Sequence, residues 1–306
     1  MADAASVAGT AIVAIVGATA TGKSNLALDL AQRLGGEIIN TDAMQVYRGM
    51  DIGTAKLPAD ERRGIPHHLI DIAEIRDVAS VAEFQRMARE AIDDCRTRGV
   101  APILVGGSAL YTRAILDEFE FPGTDPEVRS RLEAELKEVG SVVLHQRLES
   151  LDPQAAQGIL TSNGRRIVRA LEVIELNGSF TSSLPQHVYR DPETLQIGLD
   201  IDRPTLDQRI ALRVDRMWEE GLVEEVRGLI PRGLRESRTA SRAIGYQQAL
   251  AFIDGDMDET VARDQIAAAT RRFARRQDSW FRKDPRVRWL PHEASDLATR
   301  AIALMR

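Results

Sequence analysis

Gly17 to Ser24 reads GATATGKS, the spacing G-x-x-x-x-G-K-[ST] of a phosphate loop. Backbone N–H groups of such a glycine-rich turn converge on phosphate oxygens at a helix N-terminus. Lys23 adds a point charge, and the Ser24 hydroxyl is a ligand type suited to Mg²⁺. A second candidate is Asp42 in NTDAMQVYRGMDIGTAK (40–56), just past an expected strand end, the side on which ligands bind in α/β sheets. A carboxylate there can bind Mg²⁺ or accept a proton, but Asp is also favoured in turns and helix caps, and position alone does not choose. A third is LVGGSALY (104–111), in which Gly106 and Gly107 permit close backbone approach to a ligand beside Ser108.

Arginines form the remaining groups. RRIVRALE carries Arg165, Arg166 and Arg169. Residues 263–288 hold nine Arg or Lys against three Asp, with Arg272, Arg275 and Arg276 beside an apolar face. In a chain whose net charge is −6, that concentration points to contact with a nucleic-acid backbone rather than an ordinary solvated face. Arg209, Arg213 and Arg216 recur at helical spacing, which suits either a polyanionic ligand or salt bridges to the acids of the helical block that begins near Glu118.

The elements that must position these residues follow from the apolar pattern. Ala11–Val16 reads as a buried parallel strand and Ser24–Leu34 as the helix after it, the context that gives the loop its meaning. Glu37–Asn40 and Ala101–Gly107 read as further strands, and Val81–Arg98 as a helix. The alternation implies an α/β fold with a parallel sheet. From about Glu118 the pattern turns helical, with a start at Asp125-Pro126 and stretches at Ser141–Leu148, Pro153–Leu160 and Arg165–Leu176. A strand pattern returns at Leu195–Ile201, and helices follow from Arg203 to about Lys283. The division expected is a core of 1–117 and 195–306 interrupted by a helical insertion, 118–194.

With 306 residues the chain has ample length for a core, and 43% hydrophobic and 28% charged residues are ordinary for a soluble protein. The single cysteine, Cys95, excludes an internal disulfide and suits a reducing compartment. The first basic residue is Lys23 and the apolar run stops at Gly17, so neither a secretion signal nor a membrane span is expected, and the default location is cytoplasmic.

Over Ile12–Leu290 the chain resembles the bacterial tRNA dimethylallyltransferase (tRNA isopentenyltransferase) family. GATATGKS, TDAMQVYRGMDIGTAK, PHHLID (66–71), ILVGGSALY, RALEV (169–173), IGYQQ (244–248) and TRRFARRQDSWFR (270–282) carry the resemblance. It implies a P-loop, nucleoside-kinase-like parallel-sheet core with an inserted helical tRNA-binding subdomain and C-terminal helices. It implies transfer of a dimethylallyl group from dimethylallyl diphosphate to N6 of the adenosine just 3′ of the anticodon, in tRNAs reading codons that begin with U. The partners would be the tRNA anticodon stem-loop and the donor, the cofactor Mg²⁺ on Ser24, and the enzyme a monomer.

By the same resemblance Asp42 is the catalytic carboxylate, with Ser108 and Arg129 near the reacting centre. Gly17, Ala18, Thr19, Ala20, Thr21, Gly22, Lys23, Ser24 and Arg213 would hold the diphosphate. The tRNA would meet Asp42, Ala43, Met44, Gln45, the strip Arg165, Arg166, Ile167, Val168, Arg169, and Arg272, Arg275 and Arg276. Asn163 replaces the family's common aspartate, which puts the local helix start and one tRNA contact in question. Two other functions fit parts of the sequence: an ATP-dependent small-molecule or nucleotide kinase, and a non-catalytic RNA-binding protein. Neither needs both the arginine-rich helix and an Asp42 beside a phosphate loop.

Overall fold

The computed structural model describes residues 11–181 and 185–305; residues 1–10, most of the stretch read for a leader, lie outside them. The chain divides into two compact units, Met1–Asp117 with Tyr189–Arg306, and Glu118–Val188. The sequence boundary at 194 is therefore a few residues late, because Tyr189 already pairs with Asp117 in an antiparallel bridge.

The first unit is built on a six-stranded parallel sheet in the order β3-β2-β4-β1-β5-β6. These strands are β1 (Val13–Val16), β2 (Gly36–Asn40), β3 (His67–His68), β4 (Ala101–Val105), β5 (Leu195–Asp200) and β6 (Val287–Pro291). β1 lies at the centre and every residue of it is buried, which is why VAIV reads as an unbroken apolar run rather than an alternation. Helices α1 (Lys23–Leu34), α2 (Val81–Thr97) and α3 (Ala109–Leu116) follow β1, β3 and β4. Ser80 caps α2 by accepting from the Glu83 N–H, and the stripe Phe84, Ala88, Ile92, Cys95 is buried. C-terminal to β5 come α7 (Arg203–Glu219), α8 (Leu222–Leu229), α9 (Tyr246–Ile253) and α10 (Glu259–Phe281), and α11 (Leu297–Ala303) ends the chain. Two apolar clusters flank the sheet; one includes Ile39, Leu104, Tyr246 and Phe281, the other Ile15, Leu30, Ile103 and Ile197.

The second unit is helical: α4 (Pro126–Leu151), α5 (Pro153–Gln157) and α6 (Gly164–Asn177). α4 is broken at Gly140, whose φ of 83° and ψ of 167° are non-helical, so the stretch from Ser141 is a helix of its own. Leu132, Leu144, Leu148, Ile167, Val168 and Leu171 form its separate core. Asn163 caps α6 by accepting from the Arg166 N–H at 3.2 Å, so the asparagine serves the helix start as an aspartate would. No helix among the described residues is long and apolar enough to cross a membrane.

Candidate active site

Three neighbouring strands, β2, β4 and β1, end on one edge of the sheet, and the loops after them carry the candidate residues. After β1 the chain turns through Gly17–Gly22 into α1. Gly22 is the N-cap with φ 100°, which no side chain other than glycine adopts comfortably. No side chain caps α1 and its first turn has no acid, so the free N–H groups and the helix dipole favour an anion from outside. The Thr21 hydroxyl donates to the Ala18 carbonyl at 3.0 Å and holds the loop's shape.

Lys23 is partly buried, with its ammonium donating to the Ala18 carbonyl. Burial, and then the nearby Arg213 charge, push its pKa from an ordinary 10.5 down to about 7, while Asp42 pulls the other way. Arg213 on α7 donates to the Thr19 hydroxyl at 3.0 Å, and burial together with Arg216 lowers its pKa also. Lys23 and Arg213 thus stand together with no carboxylate ion-paired to either among the described residues. Such a pair is chemically suited to an anion. Arg209, Arg213 and Arg216 line a cavity of about 710 Å³ with Ala20, Ile52 and Lys56. Asp51, Glu61, Asp71 and Glu220 line the same cavity, so this helical face meets carboxylates of the first unit as well as open space. Asp42 and Lys23 do not line that cavity, so it adjoins the reacting residues through Ala20 and Arg213 only.

Asp42 sits beyond β2. Asn40 fixes it by accepting from the Asp42 N–H at 2.8 Å and donating to the Asp42 and Leu69 carbonyls. Its carboxylate accepts from the Met44 N–H at 2.8 Å. Burial raises its pKa, opposed by that backbone bond and by Lys23. A carboxylate with raised proton affinity is a better base than an exposed one. The Ser108 hydroxyl accepts from the Ala43 N–H at 3.2 Å, so the glycine turn after β4 holds the strip after β2. A side chain at Gly106 would strike Thr41, and one at Gly107 would strike Gln277, so both positions demand glycine for packing.

Gln277 on α10 is a site residue that the sequence reading misses. It is 4% exposed, accepts from the Thr19 N–H at 2.8 Å and donates to the Gly107 carbonyl at 2.9 Å. One amide joins the phosphate loop, the glycine turn and the arginine-bearing helix. The signal that could have found it is a glutamine falling on the apolar stripe of α10. Because Gln277 takes the Thr19 amide, Thr19 has its hydroxyl, beside Arg213, to offer a phosphate. Ala18 and Ala20 direct their side chains against Leu206, Ile210 and Ala274, leaving only backbone to a ligand.

On α10 the residues Arg272, Arg275 and Arg276 are exposed and carry no ion pair to a carboxylate among the described residues. In the second unit Arg165 and Arg166 are exposed. Ile167 and Val168 are 0% and 1% exposed and belong to that unit's core, which corrects their placement among tRNA contacts: helical periodicity turns them inward. Arg169 also turns inward, to Glu172 at 2.8 Å and to the Pro122 and Gly123 carbonyls. Arg129 joins the same buried Glu172 at 3.2 Å. Arg129 and Asp42 thus lie in different units.

A divalent cation of the Mg²⁺ type needs hard oxygen donors, keeps several waters and takes phosphate oxygens. The exposed Ser24 hydroxyl in the first turn of α1 fits that requirement. Among the described residues one grouping has other metal-ligating side chains, Glu37 on β2, His68 on β3 and Cys95 on α2. There both Glu37 oxygens accept from Arg98 at 2.7 Å, so the carboxylate already has its cation.

The fold and site define an α/β protein with a phosphate-loop motif after its central strand, whose loop lysine lies within electrostatic reach of a half-buried carboxylate. The family model described as IPP transferase matches residues 45–284. A tRNA dimethylallyltransferase of Nocardioides is 62% identical over 97% of this chain and 96% of its own length. That of Thermobifida fusca is 61% identical over 96% and 94%. Among solved structures, a tRNA isopentenylpyrophosphate transferase of Bacillus halodurans is 41% identical, with TM-score 0.70, covering 97% of this chain and 94% of its own. A eukaryotic dimethylallyltransferase, described as acting on tRNA, is 26% identical with TM-score 0.79, covering 95% and 77%. The chain belongs to the IPP transferase family.

Proposed function

We propose that this chain transfers a dimethylallyl group from dimethylallyl diphosphate to N6 of the adenosine just 3′ of the anticodon, in tRNAs that read codons beginning with U. The observation that carries the reading is that Lys23 and Arg213 stand together, neither ion-paired to a carboxylate among the described residues, with Lys23 in electrostatic reach of a half-buried Asp42 of raised proton affinity, in a member of this family. The phosphate loop, Lys23 and Arg213 hold the diphosphate. Ser24 would hold Mg²⁺, which when bound would supply neutralisation of the diphosphate charge. The N6 lone pair forms a bond to the allylic carbon as the bond from that carbon to the diphosphate oxygen breaks. Asp42 orients the amine and takes its proton, and the diphosphate leaves with the electron pair, its charge offset by the cations. The exposed arginines of α10, with Arg165 and Arg166, supply sequence-independent contacts to the tRNA backbone. The enzyme works as a monomer.

A kinase using ATP is less well supported. It gives no role to the arginine-bearing face of α10, and the relatives named above are tRNA-modifying transferases. The deciding experiment incubates tRNA with enzyme, Mg²⁺ and dimethylallyl diphosphate, then digests the tRNA and weighs its nucleosides. The reading predicts N6-isopentenyladenosine at one site per tRNA. Phosphate transfer from ATP to a small acceptor, with no prenylated nucleoside, would overturn it.

A further inference from the structure

The motif TDAMQVYRGMDIGTAK extends well past the residues given a role above. The second half, Asp51–Lys56, forms a tight turn, with the Ala55 N–H on the Ile52 carbonyl at 3.0 Å and the Lys56 N–H on the Asp51 carbonyl at 2.9 Å. Three N–H groups at its start point the same way and find no partner within the turn. All three meet one side chain. The Glu225 carboxylate of α8 accepts from Asp51 at 3.0 Å, Ile52 at 2.7 Å and Gly53 at 3.3 Å, and also from the Tyr246 hydroxyl at 2.5 Å. Tyr246 is fully buried and packs so closely on Gly53 that a side chain there would overlap its ring. Four donors thus converge on the two oxygens of one carboxylate, about as many as its lone pairs can accept.

The turn is tied in turn to the strip that begins at Asp42. The Gln45 side-chain amide donates to the Thr54 carbonyl at 3.1 Å and reaches the Ala55 carbonyl at 3.4 Å. Lys56, whose side chain is 3% exposed, donates to the Tyr47 carbonyl at 2.9 Å and pairs with Asp51 at 2.5 Å and Asp71 at 2.7 Å. The Asp71 N–H donates back to the Gln45 carbonyl at 3.3 Å. Gln45 lies next to Met44, whose N–H holds the Asp42 carboxylate.

We propose that Glu225, with Tyr246, is a positioning residue: it clamps the 51–56 turn so that Gln45 and Lys56 hold the 42–47 strip, and with it Asp42, in the reactive geometry. What it acts on rests on the prenyl-transfer reading. The clamp itself does not. Glu225 touches no reacting atom, and its effect falls on the rate of the bound complex rather than on tRNA affinity. A displacement of about 1 Å at a reacting group can cost ~100-fold in rate.

The test uses the full chain with Glu225→Gln, which keeps the size of the side chain but turns an N–H₂ group toward backbone donors. Hydrogen exchange at the amides of 51–53 needs no substrate and reads the clamp alone; it should quicken at least ~10-fold. With saturating donor and tRNA the single-turnover rate should fall ~10–100-fold, with tRNA binding in a filter assay changed less than ~3-fold. On a Gln45→Ala background, where one of the two links is already cut, the same substitution should cost several-fold less than it does when Gln45 is present. Tyr246→Phe removes one donor of four and should cost ~3–10-fold, and less when Gln45 is absent; it carries the test if Glu225→Gln does not fold. A single-turnover rate near that of the unaltered enzyme in the folded variant, or equal losses with and without Gln45, would overturn the proposal. Faster exchange in Glu225→Gln, together with an unaltered chain that prenylates no tRNA, would instead sink the function and leave the clamp standing.

Discussion

On the prenyl-transfer reading, donor binding should consume a proton at Lys23. In the free site burial and Arg213 hold its pKa at about 7 instead of 10.5. At ~1.4 kcal/mol per tenfold change in proton affinity, the site charges the ammonium form ~5 kcal/mol. A bound diphosphate removes that penalty by placing negative charge beside the ammonium, so the pKa in the complex returns toward its ordinary value. The sign follows. At pH 6 Lys23 is already protonated and little proton is taken up; at pH 8 about nine-tenths of the free enzyme is unprotonated, and ~0.9 proton enters with each donor molecule. Donor affinity should therefore weaken toward tenfold per pH unit above 7. Isothermal titration of dimethylallyl diphosphate with Mg²⁺ at pH 8, in buffers of different ionisation enthalpy, measures the uptake directly. Equal heats in Tris and HEPES at pH 8 would show that Lys23 is charged in the free site and that the assignment of its environment is wrong. Lys23→Ala should abolish the buffer dependence and weaken the donor ~10–100-fold.

Asp42→Ala and Asp42→Asn should each lower the single-turnover rate ~10²–10⁴-fold with tRNA binding within several-fold, and the unaltered rate should rise with pH through a pKa above 3.8; a normal rate in the Asn variant would exclude Asp42 as the base. Gln277→Ala frees the Thr19 amide but loosens the phosphate loop, and should raise the donor KM ~10-fold with tRNA affinity unchanged, read by steady-state kinetics. Neutralising Arg272, Arg275 and Arg276 together should flatten the slope of log K against log salt by up to ~0.9 for each phosphate that the arginines no longer neutralise, measured by filter binding. Glu37 has its pKa lowered to about 2, first by the Arg98 hydrogen bond, so its share of stability is whole above its ordinary 4.5 and is lost as pH falls toward 2. Arg98 is 41% exposed, so solvent screens the pair and its share is small; acid melting of Arg98→Met should show the deficit against the unaltered chain shrink as pH falls below 4.5.

The signals that the structure bears out most fully are local ones. A phosphate loop is a contiguous stretch with a strand before it and a helix after it, and Asp42 and Ser108 follow strands that can be read from their own apolar runs. What stays hidden depends on chain segments far apart in sequence. Gln277 meets Thr19 across 258 positions, and Glu225 meets Gly53 across 172. Neither carries a signature, since a glutamine on a helix and an acid on a helix are commonplace. β3 is two residues long and β6 mixes polar with apolar residues, so their periodicity is too short to read. The strip 165–169 reads as a tRNA contact only by its match to a motif, whereas its helical phase, visible in the alternation of RRIV with RALE, already turns Ile167, Val168 and Arg169 toward the interior.

The bridge between Asp117 and Tyr189 has a consequence for how the chain finds its fold. Just outside it the Glu118 N–H donates to the Val188 carbonyl, and just inside it the Arg190 N–H donates to the Leu116 carbonyl, so the interruption leaves and returns at one place. Chain entropy penalises joining distant segments, by ~0.6 kcal/mol for each doubling of the loop. Once the helical insertion has gathered its own core, its two ends are already neighbours, and the sheet sees a short turn where the sequence has a long detour. β4 and β5 can then flank β1 at little more entropic cost than if the insertion were absent. Such an arrangement lets an insertion vary in length and surface over evolutionary time while the core that carries the phosphate loop stays blind to the change.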